Sequence, residues 1–287
     1  MTRIICIANQ KGGVGKTTTA INLATCMAAV GRRVLVIDLD PQGNASTGLG
    51  LNKNQRAVGS YEVLLGRADL AGAIQETKIK NLCVVPATPD LAGAEIELVD
   101  IPGREFKLRD ALQKARGLSW RSSEINAAND DASASSLSTF DFIIIDCPPS
   151  LGLITLNALV AANALLVPLQ CEFFALEGLS QLIRTVERIT AKLNPSLEIQ
   201  GVVLTMYDKR NNLSANVEAD VRTFFGEKVY QTIIPRNVRV SEAPSHGKPV
   251  LLYDHKCPGS VAYMHLASEV LKREAMLAQR IGINKAA

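Results

Sequence analysis

The sequence lacks several features that mark membrane, secreted or zinc-binding proteins. No apolar run approaches the ~18–20 residues that cross a bilayer, and the apolar stretch at residues 4–8 is too short for a signal peptide. The six cysteines include no Cys-x-x-Cys pair, and the three histidines have no metal-ligand spacing. We therefore expect a cytoplasmic protein with buried, reduced thiols, without a disulfide framework or a zinc site.

A strong excess of charge is also missing. A formal net charge of +3 permits contact with nucleic acid but does not argue for it, because many enzymes carry the same excess. What is present is a large apolar fraction, 47% of 287 residues, which is enough to bury a substantial core. We expect a single domain over residues 1–287.

A glycine-rich segment at residues 8–19 fits a phosphate-binding loop, with one departure. The usual pattern is a glycine, four residues of any kind, and then Gly-Lys-Thr or Gly-Lys-Ser. Gly15, Lys16 and Thr17 fit its end, whereas Gln10 occupies the position of the first glycine. The glycines allow a tight turn that aims N–H groups at phosphate oxygens, and the following helix adds its positive N-terminal end. The predicted nucleotide-binding residues of this loop are Lys11, Gly12, Gly13, Val14, Gly15, Lys16, Thr17 and Thr18.

The two lysines of this loop have different expected positions. Lys16 is placed for the β- and γ-phosphates of a nucleotide, and the Thr17 hydroxyl is placed for Mg²⁺. Lys11 precedes Lys16 by five residues and lies on the far lip of the loop. Its ammonium group can fold back on the nucleotide of its own chain or reach a nucleotide held by a second copy. The residues alone leave both arrangements open, beside that of a solvated surface lysine.

Two apolar, strand-like runs end in aspartates, one in Asp38 and Asp40 and the other in Asp146. Ligands of a doubly wound sheet bind at the carboxyl ends of its strands, where these carboxylates can meet Mg²⁺ and a hydrolytic water. We assign the catalytic role to Asp40, which is farther into its loop, and a structural role to Asp38. Asp146 has the form of the Mg²⁺-associated acid of phosphate-loop enzymes, although a simple strand-end cap is the alternative. The predicted metal ligands are thus Thr17, Asp40 and Asp146.

Apolar periodicity alternates between strands and helices along the chain, which predicts an α/β fold with a mostly parallel, twisted sheet and helices on both faces. Residues 117–139 lack this periodicity and are expected to form a flexible insertion, in which Trp120 packs on the preceding helix; an exposed anchor for a partner is the alternative for Trp120. Residues 281–287 are expected to form a loose tail. The predicted strands are 3–8, 34–37, 82–85, 142–145, 164–168 and 199–205, and the predicted helices are 16–30, 92–99, 106–115, 153–161, 176–193, 214–225 and 260–280.

Taken together, these segments resemble the ParA/Soj-type chromosome-partitioning ATPases of the deviant Walker A family, which includes MinD. The resemblance implies an ATPase that uses ATP and Mg²⁺ and forms a sandwich dimer, in which Lys11 crosses to the partner's phosphates. It makes Lys11, Lys16 and Asp40 the catalytic residues, with Asp40 positioning the attacking water. It rests on the stretches 9–18, 38–44, 91–98, 143–150, 170–179 and 234–249, within a similarity that extends from residue 3 to about residue 270.

The same resemblance implies partners and further contact residues. The ATP-bound homodimer would bind double-stranded DNA without sequence preference, and a ParB-like protein would stimulate hydrolysis and release it during chromosome or plasmid segregation. A nucleoid-associated location follows. Arg210 and Arg239 match DNA-binding positions, and Pro235 and Asn237 match adenine-contacting positions, although the stretch around Pro235 alone predicts a turn. Three neighbouring basic residues would extend the DNA-binding patch: Lys209, Arg236 and Lys248.

Other functions share parts of this pattern. An iron–sulfur reductase would need cysteines around a shared cluster, and Cys147 has no evident partner. A nucleotide-binding scaffold would bind ATP without hydrolysing it. The phosphate loop begins by residue 9, so we expect no N-terminal helix-turn-helix domain and no sequence-specific operator binding. A MinD-like membrane ATPase would need a basic, amphipathic C-terminal helix that lies on lipid, but a last helix packed on its own core gives the same pattern and is the interpretation we favour. The apolar positions of this helix are Leu266, Val270, Leu277 and Ile281, and the basic residues near them are Lys272, Arg273, Arg280 and Lys285.

Overall fold

The structure of the chain is a computed structural model that describes residues 2–115, 140–172 and 174–286, with side chains up to residue 279. The predicted insertion at residues 117–139, including Trp120, lies outside the described residues. The loose tail expected at residues 281–287 stays a prediction.

Eight strands in the described residues form one sheet. They are β1 (Arg3–Ile7), β2 (Val34–Asp38), β3 (Gln75–Glu76), β4 (Leu82–Val85), β5 (Phe142–Asp146), β6 (Ala164–Gln170), β7 (Glu198–Tyr207) and β8 (Val229–Pro235). Their order across the sheet is β3-β4-β2-β5-β1-β6-β7-β8, and every neighbouring pair is parallel except β3 and β4 at one edge. Parallel neighbours need crossover connections, which carry the helices to both faces.

The α-helices that connect these strands vary from single turns to a long last helix. In the described residues they are α1 (Lys16–Ala29), α2 (Asn44–Gly48), α3 (Ser60–Leu64), α4 (Leu70–Ala73), α5 (Leu91–Glu97), α6 (Lys107–Lys114), α7 (Leu153–Ala161), α8 (Ala175–Lys192), α9 (Asn212–Phe225), α10 (Val238–Glu242), α11 (Val250–Tyr253) and α12 (Pro258–Ala286).

Apolar side chains on both faces hold the central strands in place. β2 and β5 are buried along their whole length, and β1 is buried from its second residue onward. Successive side chains point to opposite faces, so Ile4 and Cys6 belong to the apolar layer formed with α3 to α9, while Ile5 and Ile7 belong to the layer formed with α1, α2, α11 and α12. These two apolar layers fix the carboxyl ends of the central strands at one edge of the sheet.

The α/β fold predicted from the sequence is confirmed, and each predicted strand and helix occurs. Their ends agree within about two residues, except that α12 continues to Ala286 rather than ending at Arg280. The turn predicted around Pro235 is wrong for Pro235 itself, because this residue is the last one of strand β8. β8 lies at the sheet edge and is only partly buried, so its apolar signal is weaker than that of the central strands.

Candidate functional site

The carboxyl ends of β1, β2 and β5 meet at one edge of the sheet. Ile7, which ends β1, pairs in register with Asp146, which ends β5, and Asp146 also pairs with Asp38, which ends β2. The chain leaves β1 through the glycine-rich loop and enters α1 at Lys16. The parallel topology therefore brings the loop and the predicted carboxylates to one place, as expected for a doubly wound sheet.

Positive φ angles at two glycines shape the loop. Gly13 and Gly15 have φ angles of 74° and 87°, in the left-handed region that favours glycine. The N–H groups of Gly12, Gly13 and Gly15 have no hydrogen-bond acceptor within the part of the chain that the structure describes. Free donors beside the positive N-terminal end of a helix form an anion site that suits phosphate groups.

Two side chains brace the loop through hydrogen bonds to its carbonyl groups. Thr205 of β7 donates its hydroxyl to the carbonyl of Val14 at 2.8 Å, and Lys16 donates Nζ to the carbonyl of Lys11 at 2.9 Å. Lys16 is only 6% exposed, and this burial lowers the pKa of its ammonium group, while the Asp146 carboxylate opposes the shift. The ammonium group thus lies across the loop, where phosphate oxygens would replace the carbonyl as its acceptor.

A cavity of about 240 Å³ opens onto the loop. Three residues that line the cavity were not predicted from the sequence, namely Asn44, Pro149 and Met206. Asn44 and Pro149 belong to the segments after β2 and β5, which the sequence did mark. Met206 has a φ angle of 50°, an uncommon conformation that no sequence pattern signals. The described residues that line the cavity are Gly12, Gly13, Gly15, Lys16, Thr17, Thr18, Asp40, Asn44, Pro149 and Met206.

Asp146 is a fully buried carboxylate beside the phosphate loop. Burial, reinforced by the nearby charge of Asp38, raises the pKa of Asp146 well above its usual range. The Thr17 hydroxyl is near enough to lower that pKa in part, but neither oxygen of Asp146 has a hydrogen bond of normal geometry among the described residues. A divalent cation would compensate such a carboxylate, so Thr17 and Asp146 fit a Mg²⁺ ion.

The two carboxylates after β2 have different surroundings. Asp38 is fully buried and accepts hydrogen bonds from the N–H of Asp40 at 3.2 Å and from the N–H and hydroxyl of Ser46 at 2.8 and 2.6 Å. Burial raises the pKa of Asp38 to about 6. Asp40 lines the cavity, and its carboxylate accepts a hydrogen bond from the N–H of Gln42 at 3.0 Å. Asp38 thus supports the loop that presents Asp40, whose catalytic role stays a prediction.

Known proteins share this fold and these segments. A family model described as an AAA domain matches residues 2–117 and 130–199. The chromosome partitioning protein ParA of Caulobacter vibrioides is 58% identical over 272 residues, with 95% of each chain covered. The chain belongs to the ParA/Soj family of chromosome-partitioning ATPases. The sporulation initiation inhibitor protein Soj of Bacillus subtilis is 50% identical, with 94% of this chain and 98% of that protein covered. Among solved structures, cobyrinic acid a,c-diamide synthase from Mycobacterium smegmatis, with bound ADP and magnesium, has a TM-score of 0.77 at 37% identity, with 96% of each chain covered.

In this ParA/Soj-family chain, Lys11 is not among the described residues that line the phosphate cavity. Its ammonium group pairs with Glu172, which follows β6, and 45% of its side chain is exposed. The backbone N–H of Lys11 donates a hydrogen bond to the side-chain oxygen of Asn9 at 3.0 Å, which fixes the backbone at Lys11. The fold therefore holds Lys11 at the surface beside Glu172.

The two predicted adenine contacts are likewise absent from the described walls of the phosphate cavity. Pro235 lines a second, larger groove of about 1370 Å³, and the side chain of Asn237 accepts a hydrogen bond from the N–H of Val240 at 3.3 Å, which caps α10. Met206 lines the cavity, and the next residue, Tyr207, lines the groove. The adenine contacts stay a prediction.

Arg210 and Arg239 are exposed, and each is paired with a carboxylate of its own chain. Arg210 is 88% exposed and binds Asp208 through Nε at 3.0 Å and Nη2 at 2.8 Å. Arg239 is 55% exposed and binds Glu242 at 3.1 Å. A DNA phosphate would therefore compete with an existing partner at both positions. Arg210 lines the larger groove together with three other basic side chains: Lys209, Arg236 and Lys256.

Proposed function

We propose that this chain binds ATP with Mg²⁺ in the phosphate-loop cavity, hydrolyses it slowly, and uses its ATP-bound state to dimerise and bind DNA during chromosome or plasmid segregation. The observation that carries the ATP site is the combination of unused N–H donors with the buried carboxylate of Asp146, whose oxygens have no hydrogen bond of normal geometry among the described residues. A polyphosphate with a divalent cation would satisfy both. The ADP and magnesium bound to the related Mycobacterium smegmatis structure support this choice of ligand.

Each cavity residue has a distinct task in this proposal. The Thr17 hydroxyl and the carboxylates of Asp40 and Asp146 would hold Mg²⁺, which when bound neutralises charge on the phosphate oxygens. Lys16 binds the terminal phosphates from across the loop. Asp40 accepts a hydrogen bond from a water molecule and orients it toward the γ-phosphate.

The proposed dimer gives Lys11 a task outside its own cavity. A surface ion pair contributes only about 0–1 kcal/mol, so Lys11 can exchange Glu172 for the phosphates of a second molecule with little loss. The same exchange would make the homodimer depend on ATP. DNA would bind this dimer without sequence preference, and a ParB-like protein would end the state by stimulating hydrolysis.

The partitioning function is favoured over the reaction of the synthase whose structure is similar. The Caulobacter vibrioides partitioning protein is 58% identical to this chain, whereas the synthase is 37% identical. A shared fold alone does not carry a function from one protein to another.

The environment of α12 argues against a role as a lipid-binding helix. Leu266 and Val270 are fully buried in the core, and Arg273 lies over the ring of Tyr230 at 4.0 Å. Two apolar positions and one basic position of the predicted amphipathic stripe are thus used within the fold; Ile281 lies beyond the described side chains. Among the described residues, we find no helix whose length and hydrophobicity would allow it to span a membrane.

The cysteines argue against an iron–sulfur protein. Cys147 is fully buried, with its Sγ 3.4 Å from the Sγ of Cys6, so it does not face a surface at which two subunits could share a cluster. All six cysteines are buried and free, as the sequence predicted.

Sedimentation with non-specific DNA, with and without ATP and Mg²⁺, tests the proposal. Lys16→Ala should lose ATP-dependent DNA binding, because it removes the phosphate-binding ammonium group. Asp40→Ala should keep or strengthen it, because unhydrolysed ATP would maintain the dimer. The exposed Lys53 provides a matched control, and Lys53→Ala should behave as the wild type. Equal sedimentation of the wild type with and without ATP would contradict the proposal, and ATP-dependent binding to anionic liposomes instead of DNA would favour a MinD-like function.

A further inference from the structure

Arg56 is a buried arginine between α2 and α3 whose guanidinium group connects separate backbone segments. It is only 5% exposed. Nη1 donates to the carbonyl of Gly43 at 3.1 Å and, more weakly, to that of Ala87 at 3.4 Å. Nη2 donates to the carbonyl of Leu51 at 2.6 Å and to the hydroxyl of Thr47 at 2.8 Å. No carboxylate among the described residues forms an ion pair with it.

Burial of the charged guanidinium group of Arg56 is energetically unfavourable, so a role in packing alone does not explain an arginine at this position. A buried guanidinium group needs hydrogen bonds for its N–H groups, and the Nε of Arg56 has no acceptor in the part of the chain that the structure describes. Burial lowers the pKa of Arg56, and the charge of Asp38 only partly opposes the shift. An apolar side chain of similar volume would pack there without this desolvation penalty. The specific contribution of Arg56 is therefore the set of oxygen atoms that it holds together.

One of these oxygens belongs to the turn that carries Asp40. The N–H of Gly43 donates to the carbonyl of Asp40 at 2.8 Å, and the N–H of Gln42 donates to the Asp40 carboxylate at 3.0 Å. On the other side, the N–H of Asp40 donates to the carboxylate of Asp38 at 3.2 Å. Asp40 is thus fixed by its neighbours along the turn, and Arg56 fixes the far end of that turn through the carbonyl of Gly43.

The loop after β4 closes the network. The hydroxyl of Ser46 donates to Asp38 at 2.6 Å and accepts a hydrogen bond from the N–H of Ala87 at 3.1 Å, while the carbonyl of Ala87 accepts from Arg56. Gly43 has a φ angle of 62°, and a Cβ atom there would lie 2.4 Å from Nη1 of Arg56 and 2.9 Å from the carbonyl oxygen of Ala87. The contact is tight enough that movement of the guanidinium group would move the turn.

We propose that Arg56 is a positioning residue for ATP hydrolysis, which holds the turn of Asp40 so that its carboxylate meets the attacking water. The inference rests on the proposed function, in which Asp40 orients that water. Arg56 acts on the turn rather than on the phosphate loop, which Thr205 and Lys16 brace. Loss of Arg56 should therefore slow hydrolysis more than it weakens ATP binding.

The test is Arg56→Lys, which keeps the positive charge but replaces the planar fork by a single ammonium group that cannot hold four acceptors on three segments. ATP affinity is measured with a fluorescent analogue, and hydrolysis is measured as single turnovers of radiolabelled ATP followed for hours. We expect the hydrolysis rate per bound ATP to fall about 10- to 100-fold, because small displacements of a catalytic group have effects of this size. The dissociation constant of the analogue should change by less than about threefold, since the phosphate loop is intact.

A double-mutant cycle of Arg56→Lys with Asp40→Asn distinguishes positioning of Asp40 from a general structural effect of the arginine substitution. If Arg56 acts through Asp40, Arg56→Lys should change the residual rate of Asp40→Asn by less than about twofold, because residues that act as a unit are not additive. Thr47→Val, which removes one acceptor of Arg56, should lower the rate less than Arg56→Lys does. The control is Arg67→Lys, an exposed arginine that pairs with Glu97 and should leave the rate unchanged.

The possible failures are distinguishable. Equal loss of rate by Arg56→Lys in the wild-type and Asp40→Asn backgrounds, or a loss that follows the fraction of folded protein, would overturn the positioning inference alone. A wild-type rate in Asp40→Asn itself would remove the role of Asp40 and with it this part of the proposed function.

Discussion

At the scale of single residues, the candidate site consists of polar groups that the fold leaves unsatisfied. Among the described residues, Asp146 has no hydrogen bond of normal geometry, whereas its neighbour Asp38, which is equally buried, accepts three. Folded proteins pair most of their buried polar groups, so an unpaired carboxylate beside unpaired N–H donors marks the position of a ligand. The difference between two adjacent aspartates thus separates a structural carboxylate from one available to a metal.

Asp146→Asn should therefore stabilise the nucleotide-free protein and weaken its response to Mg²⁺ and ATP. The substitution removes a buried negative charge that has no hydrogen bond of normal geometry in the described part of the chain, and we expect the free energy of unfolding to rise by roughly 1 kcal/mol. At 100 times its dissociation constant, a ligand adds about 2.7 kcal/mol to that free energy in the wild type. The variant should gain less from the same Mg²⁺ and ATP concentrations.

Urea unfolding with and without Mg²⁺ and ATP measures both effects. The exposed Asp100 supplies the control, since Asp100→Asn should alter neither quantity. An Asp146→Asn protein that is less stable without nucleotide, yet equally stabilised by it, would remove Asp146 from the metal site.

The sequence predicts the positions of residues that depend on local sequence patterns. It does not predict the positions of residues that depend on contacts between distant parts of the chain. Lys16, Thr17 and Asp146 follow from a glycine-rich loop and from strand ends, because parallel strands align their carboxyl ends. The pairing of Lys11 with Glu172 joins residues 161 positions apart, and no local pattern predicts it. The contacts of Arg56 depend on where three loops meet, which is a property of the folded chain.

At the scale of elements, α7 shows how one helix is positioned by another. It begins after the loop that follows Asp146, and its first N–H groups are capped from α5, where the carboxylate of Glu95 accepts hydrogen bonds from Leu153 at 2.9 Å and Ile154 at 3.2 Å. A negative charge at a helix N-terminus is also favoured by the helix dipole. At Gly152 a Cβ atom would lie 2.3 Å from an oxygen of Glu95, so the cap and the loop fit closely.

Glu95→Ala should lower the free energy of unfolding by about 1–2 kcal/mol, because it removes a capping acceptor and leaves two N–H groups without it. Glu95→Gln should have a smaller effect, since its carbonyl oxygen can still accept one hydrogen bond. Urea unfolding checks this order, with Glu187→Ala on the exposed side of α8 as the control. Equal stability of Glu95→Ala and Glu187→Ala would show that the cap contributes nothing.

Element prediction succeeds where burial makes the pattern strong. The central strands are β-branched, apolar runs buried on both faces, and their predicted ends differ from the observed ones by about one residue. β3 has only two residues and β8 is partly exposed at the opposite edge, so neither has a clear apolar period. The single-turn helices, such as α10 and α11, are too short for helical spacing to identify.

At the scale of the whole molecule, DNA binding would depend on assembly more than on any one side chain. The net charge is only +3, and Arg210 and Arg239 are each already paired with a carboxylate. A DNA backbone would therefore have to displace a carboxylate at each of these two positions of a monomer. Two molecules joined by ATP would double the number of basic groups on one assembly, which couples DNA affinity to nucleotide without a change within either chain.

This arrangement predicts a specific salt dependence. If both arginines of each molecule contact phosphates, the four contacts of a dimer give a slope of log affinity against log salt of about −3.6, at about −0.9 for each contact. Arg210→Ala, or Arg239→Ala, removes one contact from each molecule and should bring the slope to about −1.8. Titrations of non-specific DNA at several salt concentrations, with ATP and Mg²⁺ present, measure this slope.

Arg67→Ala, at an exposed arginine that also pairs with a carboxylate, controls for the loss of charge. If it reduces the slope as much as Arg210→Ala does, net charge explains DNA binding and no particular patch is required; if only Arg210→Ala and Arg239→Ala reduce it, the contacts lie where the family resemblance assigns them.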